Sequence, residues 1–446
     1  MNYTWNFKPL PPQATVIQLQ QELNISEPLA ILLAQRGITT FQQAKDFFRP
    51  TLSQLHNPFL MKGMQAAVTR LDHALKNNET ILIYGDYDVD GTSAVSLMER
   101  YLSTFTSKLF TYVPDRYSEG YGISFQGIDY AKTQGCTLII ALDCGIKAID
   151  KVQYAKEKGI DCIIADHHRP SDQVPDAVAV LDPQQADCPY PYKELCGCGL
   201  GFKLAQAYHE YLQRPFSELM PLLDLVAVAT AADIVPMNGE NRTLMYFGLE
   251  VINQQPSAGV KALFGEHQGA ITVSDVVFKA APRINAAGRI EHGKYAVALL
   301  TEPDAEKALL KAQEIDELNT HRKELDSYIA EQALGQIESN GEQNRYTSVV
   351  LNEEWHKGVI GIVASRLIEH YYRPTIVFTK SGDKYAASAR SVQGFDIYEA
   401  LEQCSQYLEQ FGGHKYAAGL TLLPEQYPLF KQAFETVVKQ TINPEL

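Results

Sequence analysis

Residues 80–91 read TILIYGDYDVDG. The apolar run at their start, rich in β-branched and aromatic residues, predicts a strand over 80–84 that is buried on both faces. A glycine and three aspartates follow it. The pattern repeats along the chain: KLFTYV (108–113), TLIIAL (137–142), CIIA (162–165) and AVAVL (177–181) are short apolar runs separated by helical stretches. Strands alternating with helices predict an α/β fold, a parallel sheet covered on both sides.

Outward from this block the organisation changes. Residues 1–75 read as helices and loops, with Pro11 and Pro12 early and a periodic LAILLAQRGI segment. Residues 200–250 are mainly helical, including LLDLVAVATAADIV. From Glu302 to Ser339 one polar, periodic run predicts a connecting helix. Beyond it YTSVVL (346–351), TIVFT (375–379) and YAASAR (385–390) predict a second, smaller α/β domain. The expected division is 1–75, 76–300, 301–340 and 341–446.

The net charge of −14 excludes a protein that holds nucleic acid by bulk positive charge. It hides a local excess, since His356 to Phe395 carries six basic residues against two acidic, a balance of +4. Hydrophobic residues at 45% against 21% charged exclude disorder. The seven cysteines are odd in number and irregularly spaced, which predicts reduced thiols in the cytoplasm. Cys188, Cys196 and Cys198 lack the second close pair that a zinc site needs. No basic segment with an apolar core opens the chain, and the most apolar stretch, Leu222 to Val235, is interrupted by Asp224 and Asp233.

In open α/β sheets ligands lie beyond the carboxyl ends of the parallel strands. Here acidic residues follow three such ends: Asp86, Asp88 and Asp90; then Asp143; then Asp166 with His167 and His168. In an extended segment the i, i+2, i+4 spacing predicts that Asp86, Asp88 and Asp90 project to one side, with Gly85 and Gly91 letting the loop bend. Converging carboxylates resist ionisation unless a cation sits among them. Oxygen donors with a minority of imidazole suit Mg²⁺ or Mn²⁺, the histidine tilting the choice toward manganese. Asp233 is a further candidate. Taken singly, each aspartate reads more readily as a turn or cap residue, Asp90 before Gly91 among them. The three clusters together favour a metal site.

GCGLGFK (197–203) lacks the spacing of a phosphate loop and predicts a tight loop entering a helix. APRINAAGRI (281–290) sets Arg283 and Arg289 among small residues, suited either to phosphate oxygens or to bridging helices. FGGHKYAAGL (411–420) places Gly412 and Gly413 before His414, a backbone nest suited to phosphate.

In this order, YGDYDVDGTSA, DCG, ADHH, ATAADIVP, RINAAGR, SAR and FGGHKYAAG resemble the DHH phosphoesterase superfamily and, within it, the RecJ single-stranded-DNA exonucleases, over almost the whole chain. The resemblance implies a parallel-sheet DHH catalytic domain joined by a long helix to a smaller α/β DHH-associated domain, with two Mn²⁺ or Mg²⁺ ions. It implies Asp86, Asp88, Asp90, Asp143, His167 and Asp233 as metal ligands. Asp166 and His168 complete the catalytic motif, His168 as a general acid or as a hydrogen-bond donor to a phosphate oxygen. Arg116, Arg283, Asn285, Arg289, Ser388, Arg390, Gly412, Gly413 and His414 are implied around the terminal phosphate and backbone of the substrate. Tyr117 and Tyr121 are read as base-stacking aromatics or as ordinary loop residues.

The implied activity is 5′-to-3′ hydrolysis of single-stranded DNA to mononucleotides in repair and recombination, with a helicase and a single-strand-binding protein as candidate partners and no membrane. Two competing readings are a DHH hydrolase of short RNA oligomers or nucleotide bisphosphates, disfavoured by the long N-terminal region, and a non-catalytic replication scaffold, disfavoured by the intact acidic set. Longer RecJ proteins continue into an OB-fold domain. Here 27 residues follow Gly419, which predicts weaker grip on long DNA with the hydrolytic chemistry intact.

Overall fold

A computed structural model describes residues 5–443, so the outermost residues of the expected ranges 1–75 and 341–446 lie outside the described residues. The chain separates into two compact units, Asn6–Leu318 and Asn319 onward. The first holds five parallel strands: β1 (Thr80–Gly85), β2 (Leu109–Tyr112), β3 (Cys136–Leu142), β4 (Asp161–Ala165) and β5 (Ala179–Leu181), in the order β2-β1-β3-β4-β5. Ile81, Ile83, Leu138 and Ile140 enter the core on one face. Leu82, Tyr84, Ile139 and Ala141 enter a second core on the other. Helices cover both faces, so the strands are apolar throughout rather than alternating.

The helices Val89–Leu102, Gly197–Tyr211 and Leu223–Ala232 pack together on the Ile81 face. In this strand order the connections run to opposite sides of β1, and the crevice beyond the carboxyl ends of β1 and β3 is the place where a doubly wound sheet binds its ligand. Ahead of β1, the helices Gln13–Leu23, Glu27–Ala34 and Phe41–Phe48 close a small core of their own around Val16, Leu19, Ala30 and Leu33.

The second unit holds β6 (Ser348–Leu351), β7 (Thr375–Ser381), β8 (Lys384–Arg390), β9 (Gln410–His414) and β10 (Ala417–Leu422), in the order β6-β7-β8-β10-β9. β6 and β7 are parallel and the other pairs antiparallel. The long helix expected over 302–339 is Ala305–Ser339. FGGH is not the nest expected of it. It forms the edge strand β9, with Gly412 opposite Gly419 and His414 opposite Ala417. A nest turns successive N–H groups into one concavity, whereas a strand points them alternately to opposite sides. Among the described residues no helix is long and apolar enough to cross a membrane.

Candidate metal centre

Asp86 follows β1 directly, and the chain leaves strand geometry at once. Asp88 is the N-cap of the helix Val89–Leu102, its Oδ1 accepting from the Gly91 N–H at 3.0 Å, and Asp90 lies in the first turn. The expected extended fan of three aspartates is thus a strand end, a cap and a helical residue, and the cap is Asp88 rather than Asp90. Capping satisfies an N–H that the helix itself leaves open.

The Asp90 carboxylate reaches the start of another helix, Gly197–Tyr211, accepting from the N–H groups of Gly197 at 2.6 Å and Cys198 at 2.8 Å. Helix N-termini favour anions, and here the anion is a side chain. GCGLGFK is therefore the first turns of the helix, not a loop before it. Gly197 leaves room for Asp143: a Cβ there would stand 2.4 Å from the Asp143 Cβ. Asp143, just beyond β3, adopts a left-handed backbone with φ of 59°.

The side chains converge on His167. Its Nε2 lies 3.1 Å from Asp143 Oδ1, 3.6 Å from Asp233 Oδ2 and 3.7 Å from Asp90 Oδ2. Among the described residues two groups have metal-ligand spacing, Asp143 with His167 and His168, and Asp90 with His167 and Asp233; neither includes a cysteine. Asp86 Oδ1, Asp143 Oδ1 and Asp233 Oδ2 are buried and accept no hydrogen bond. Buried polar atoms are normally paired, so three orphan carboxylate oxygens in one place fit a cation. Burial, with the charge of Asp88, pushes Asp86 well above the usual carboxylate range. Burial, with Asp90 and Asp88 nearby, does the same to Asp143. Asp90 is pushed up to about 6 by burial, against the pull of His167. The site strains against its own charge, as a cation would relieve.

Asp166 braces the motif. Its Oδ1 lies 2.7 Å from His168 Nδ1 and its Oδ2 accepts from the Ile146 N–H at 2.8 Å. Burial alone would raise its pKa, but the bond with His168 and its charge hold it low. His168 is raised: burial opposes its charge and the Asp166 carboxylate outweighs burial.

The remaining expected residues divide. Arg116 stacks over the Tyr87 ring at 4.0 Å and its charge bears on Asp86. Arg283 pairs with Asp316 at 2.5 Å and donates to the Leu263 carbonyl, the bridging role of the two left open. Asn285 and Arg289 lie half-buried on the same helix, Ala281–Ile290. The small residues of that helix admit protein backbone: a Cβ on Gly288 would meet the Tyr87 carbonyl at 2.5 Å. In the second unit, Arg390 Nη1 donates to Ser388 Oγ and to the Ala389 carbonyl, both at 2.9 Å. Arg390 has no ion pair among the described residues, and burial lowers its pKa. Gly361, in the first turn of the helix Ile360–His370, borders both side chains; a Cβ there would lie 3.0 Å from Arg390 Nη2 and from Ser388 Oγ. Sequence reasoning passed over Gly361, although the glycines of HKGVIG ahead of a helix were its signal. Gly412, Gly413 and His414 are exposed on β9.

Residues 80–230 match the family model for the N-terminal domain of the DHH family, and residues 343–440 match the DHHA1 domain. The chain is 40% identical over 440 residues to a single-stranded-DNA-specific exonuclease RecJ of Bacillus subtilis, covering 98% of this chain and 55% of that protein. It is 36% identical over 437 residues to the protein of the same name from Salmonella typhimurium, covering 93% and 75%. The crystal structure of RecJ from Thermus thermophilus in complex with Mn²⁺ aligns with a TM-score of 0.85 at 29% identity, over 98% of this chain and 62% of that one. This chain therefore spans little more than half the length of the first of these relatives.

Proposed function

Because the chain belongs to the RecJ family within the DHH superfamily, we propose that it is a metal-dependent exonuclease acting on single-stranded DNA from the 5′ end and releasing mononucleotides. The observation that carries this reading is the set of buried carboxylate oxygens that accept no hydrogen bond, on Asp86, Asp143 and Asp233, the latter two beside His167. Asp86, Asp88, Asp90, Asp143, His167 and Asp233 would hold two divalent cations, manganese or magnesium. Such cations supply Lewis acidity and neutralise phosphate charge when bound.

The protein's own groups do the rest. His168, charged over a wider pH range because of Asp166, donates to a phosphate oxygen of the scissile diester. Arg390 and Ser388, beside a glycine at a helix N-terminus, take the terminal 5′-phosphate, where a guanidinium without a carboxylate partner awaits an anion. Arg116 and Arg289 guide the backbone. Water attacks the phosphorus of the scissile diester, the bond to the 3′ oxygen breaks, and the remaining strand keeps a 5′-phosphate. Single strands come from unwound duplex, so a helicase and a single-strand-binding protein in the cytoplasm are the fitting partners, and repair or recombination the setting.

The test is digestion of long strands carrying a labelled 5′ end, with Mn²⁺ and Mg²⁺ compared. Early release of labelled mononucleotide is expected. No cleavage of DNA or RNA with either metal, or strong preference for two-nucleotide RNA, would sink the reading.

A further inference from the structure

We propose that Tyr121 is a positioning residue of this centre, its hydroxyl holding the Asp143 backbone in register beside the His168 ring. The inference rests on the metal-centre reading given above. The Tyr121 hydroxyl donates to the Asp143 carbonyl at 2.9 Å, and the same oxygen stands 3.1 Å from His168 Nδ1 and 3.3 Å from Nε2. One atom thus touches the residue after β3 and the residue that closes the DHH motif after β4.

Asp143 needs such a hold. Its left-handed backbone is one that residues with a Cβ rarely adopt, and it persists only where the surroundings fix it. Its N–H is fixed by the Ala165 carbonyl at 2.9 Å, and Gly197 packs against its Cα and Cβ. The carbonyl is the third restraint, and Tyr121 supplies it. Without the hydroxyl the turn relaxes, and the carboxylate that lies 3.1 Å from His167 swings with it.

Tyr121 is itself anchored. Gly120 and Gly122 on either side have φ of 85° and 84°, and the Tyr84 hydroxyl on β1 donates to the Gly122 carbonyl at 2.9 Å. The ring packs edge-on against Tyr87 and His168, at 6.5 Å and 5.6 Å between centroids. It is half exposed while the hydroxyl turns inward, so losing the oxygen leaves the fold intact.

A base-stacking role would need the ring; the role proposed here needs the oxygen. Tyr121→Phe separates them. Mn²⁺ binding to the DNA-free 446-residue chain is measured by calorimetry, and kcat and KM on single-stranded DNA at saturating Mn²⁺. The expected result is an Mn²⁺ dissociation constant raised about tenfold and kcat lowered about tenfold, as for partners that orient metal ligands, with KM unchanged. Tyr121→Phe matching the wild type in both Mn²⁺ binding and kcat overturns the proposal, and so does a rise confined to KM. A folded wild type that takes up no Mn²⁺ overturns the metal-centre reading, and this inference with it.

Discussion

Asp90 closes the N-terminus of the helix that begins at Gly197, over 100 residues away in sequence, with one carboxylate oxygen on the Gly197 N–H and the other on the Cys198 N–H. Among the described residues Asp233 accepts one hydrogen bond, a local one from the Ile234 N–H, and its second oxygen accepts none. Both sit beside His167, so removing either should abolish Mn²⁺-dependent hydrolysis. Their structural burdens differ. In metal-free protein Asp90→Ala should lower the unfolding free energy by about 2 kcal/mol, the scale of a charged buried hydrogen bond. Asp233→Ala should change it by under about 1 kcal/mol. Urea unfolding in chelator, beside a nuclease assay, reads both.

Gly197→Ala changes no ligand, yet its methyl group would collide with Asp143. Displacing that carboxylate by a fraction of an ångström to an ångström should lower turnover by about 100-fold, the usual penalty for such misplacement. A variant that melts normally and digests DNA at the wild-type rate would show that the close packing is incidental.

Arg390 is desolvated beside Ser388 with no acid to pair with among the described residues. Wild-type protein should therefore prefer strands with a 5′-phosphate over strands with a 5′-hydroxyl. Arg390→Ala should erase that preference, reducing kcat/KM on the phosphorylated strand by about 10–100-fold, as expected for lost charge-assisted hydrogen bonds. Competition between the two strands in one tube measures the ratio directly.

Metal loading should appear in the melting curve as well as in the reaction. Carboxylates raised by their own crowding are stabilised by a cation, and ligand at about 100 times its dissociation constant adds about 2.7 kcal/mol to the folded state. The thermal midpoint should rise with Mn²⁺ and fall back with chelator. In Asp143→Ala and His167→Ala the shift should vanish along with turnover.

Far from the centre, Glu79 gathers Arg70 at 2.8 Å, His73 at 2.9 Å and the Thr137 hydroxyl. Burial alone would raise its pKa, but the bonds from Thr137 and Arg70 hold it below the ordinary value. The unfolded chain therefore takes up a proton first as pH falls. The stabilisation is complete above about pH 4.3 and is lost as pH drops through the folded value. Glu79→Gln should destabilise by about 1–2 kcal/mol at neutral pH, with the gap closing under acid. Denaturation series at several pH values follow it.

Much of this was legible in the chain. The parallel strands declare themselves because burial on both faces demands unbroken apolar runs, and the acids show because they stand directly after those runs. Less visible was whatever depends on contact between distant residues. Nothing local says that Asp90 caps a helix beginning at Gly197, that Arg283 is taken by Asp316, or that the hydroxyl of Tyr121 reaches the Asp143 carbonyl. β9 escaped because an exposed, glycine-rich edge lacks the apolar alternation by which strands are recognised.

His167 belongs to both ligand groups, yet Nε2 has a single lone pair. With His168 donating to phosphate, as proposed above, the cation that does not take His167 is left with carboxylate oxygens. The two positions are then unequal partners: one mixed in nitrogen and oxygen, inclined to manganese, the other a harder berth that magnesium fills as readily. A centre of this kind need not hold two ions of one element, and its composition would follow the balance of the two metals around it.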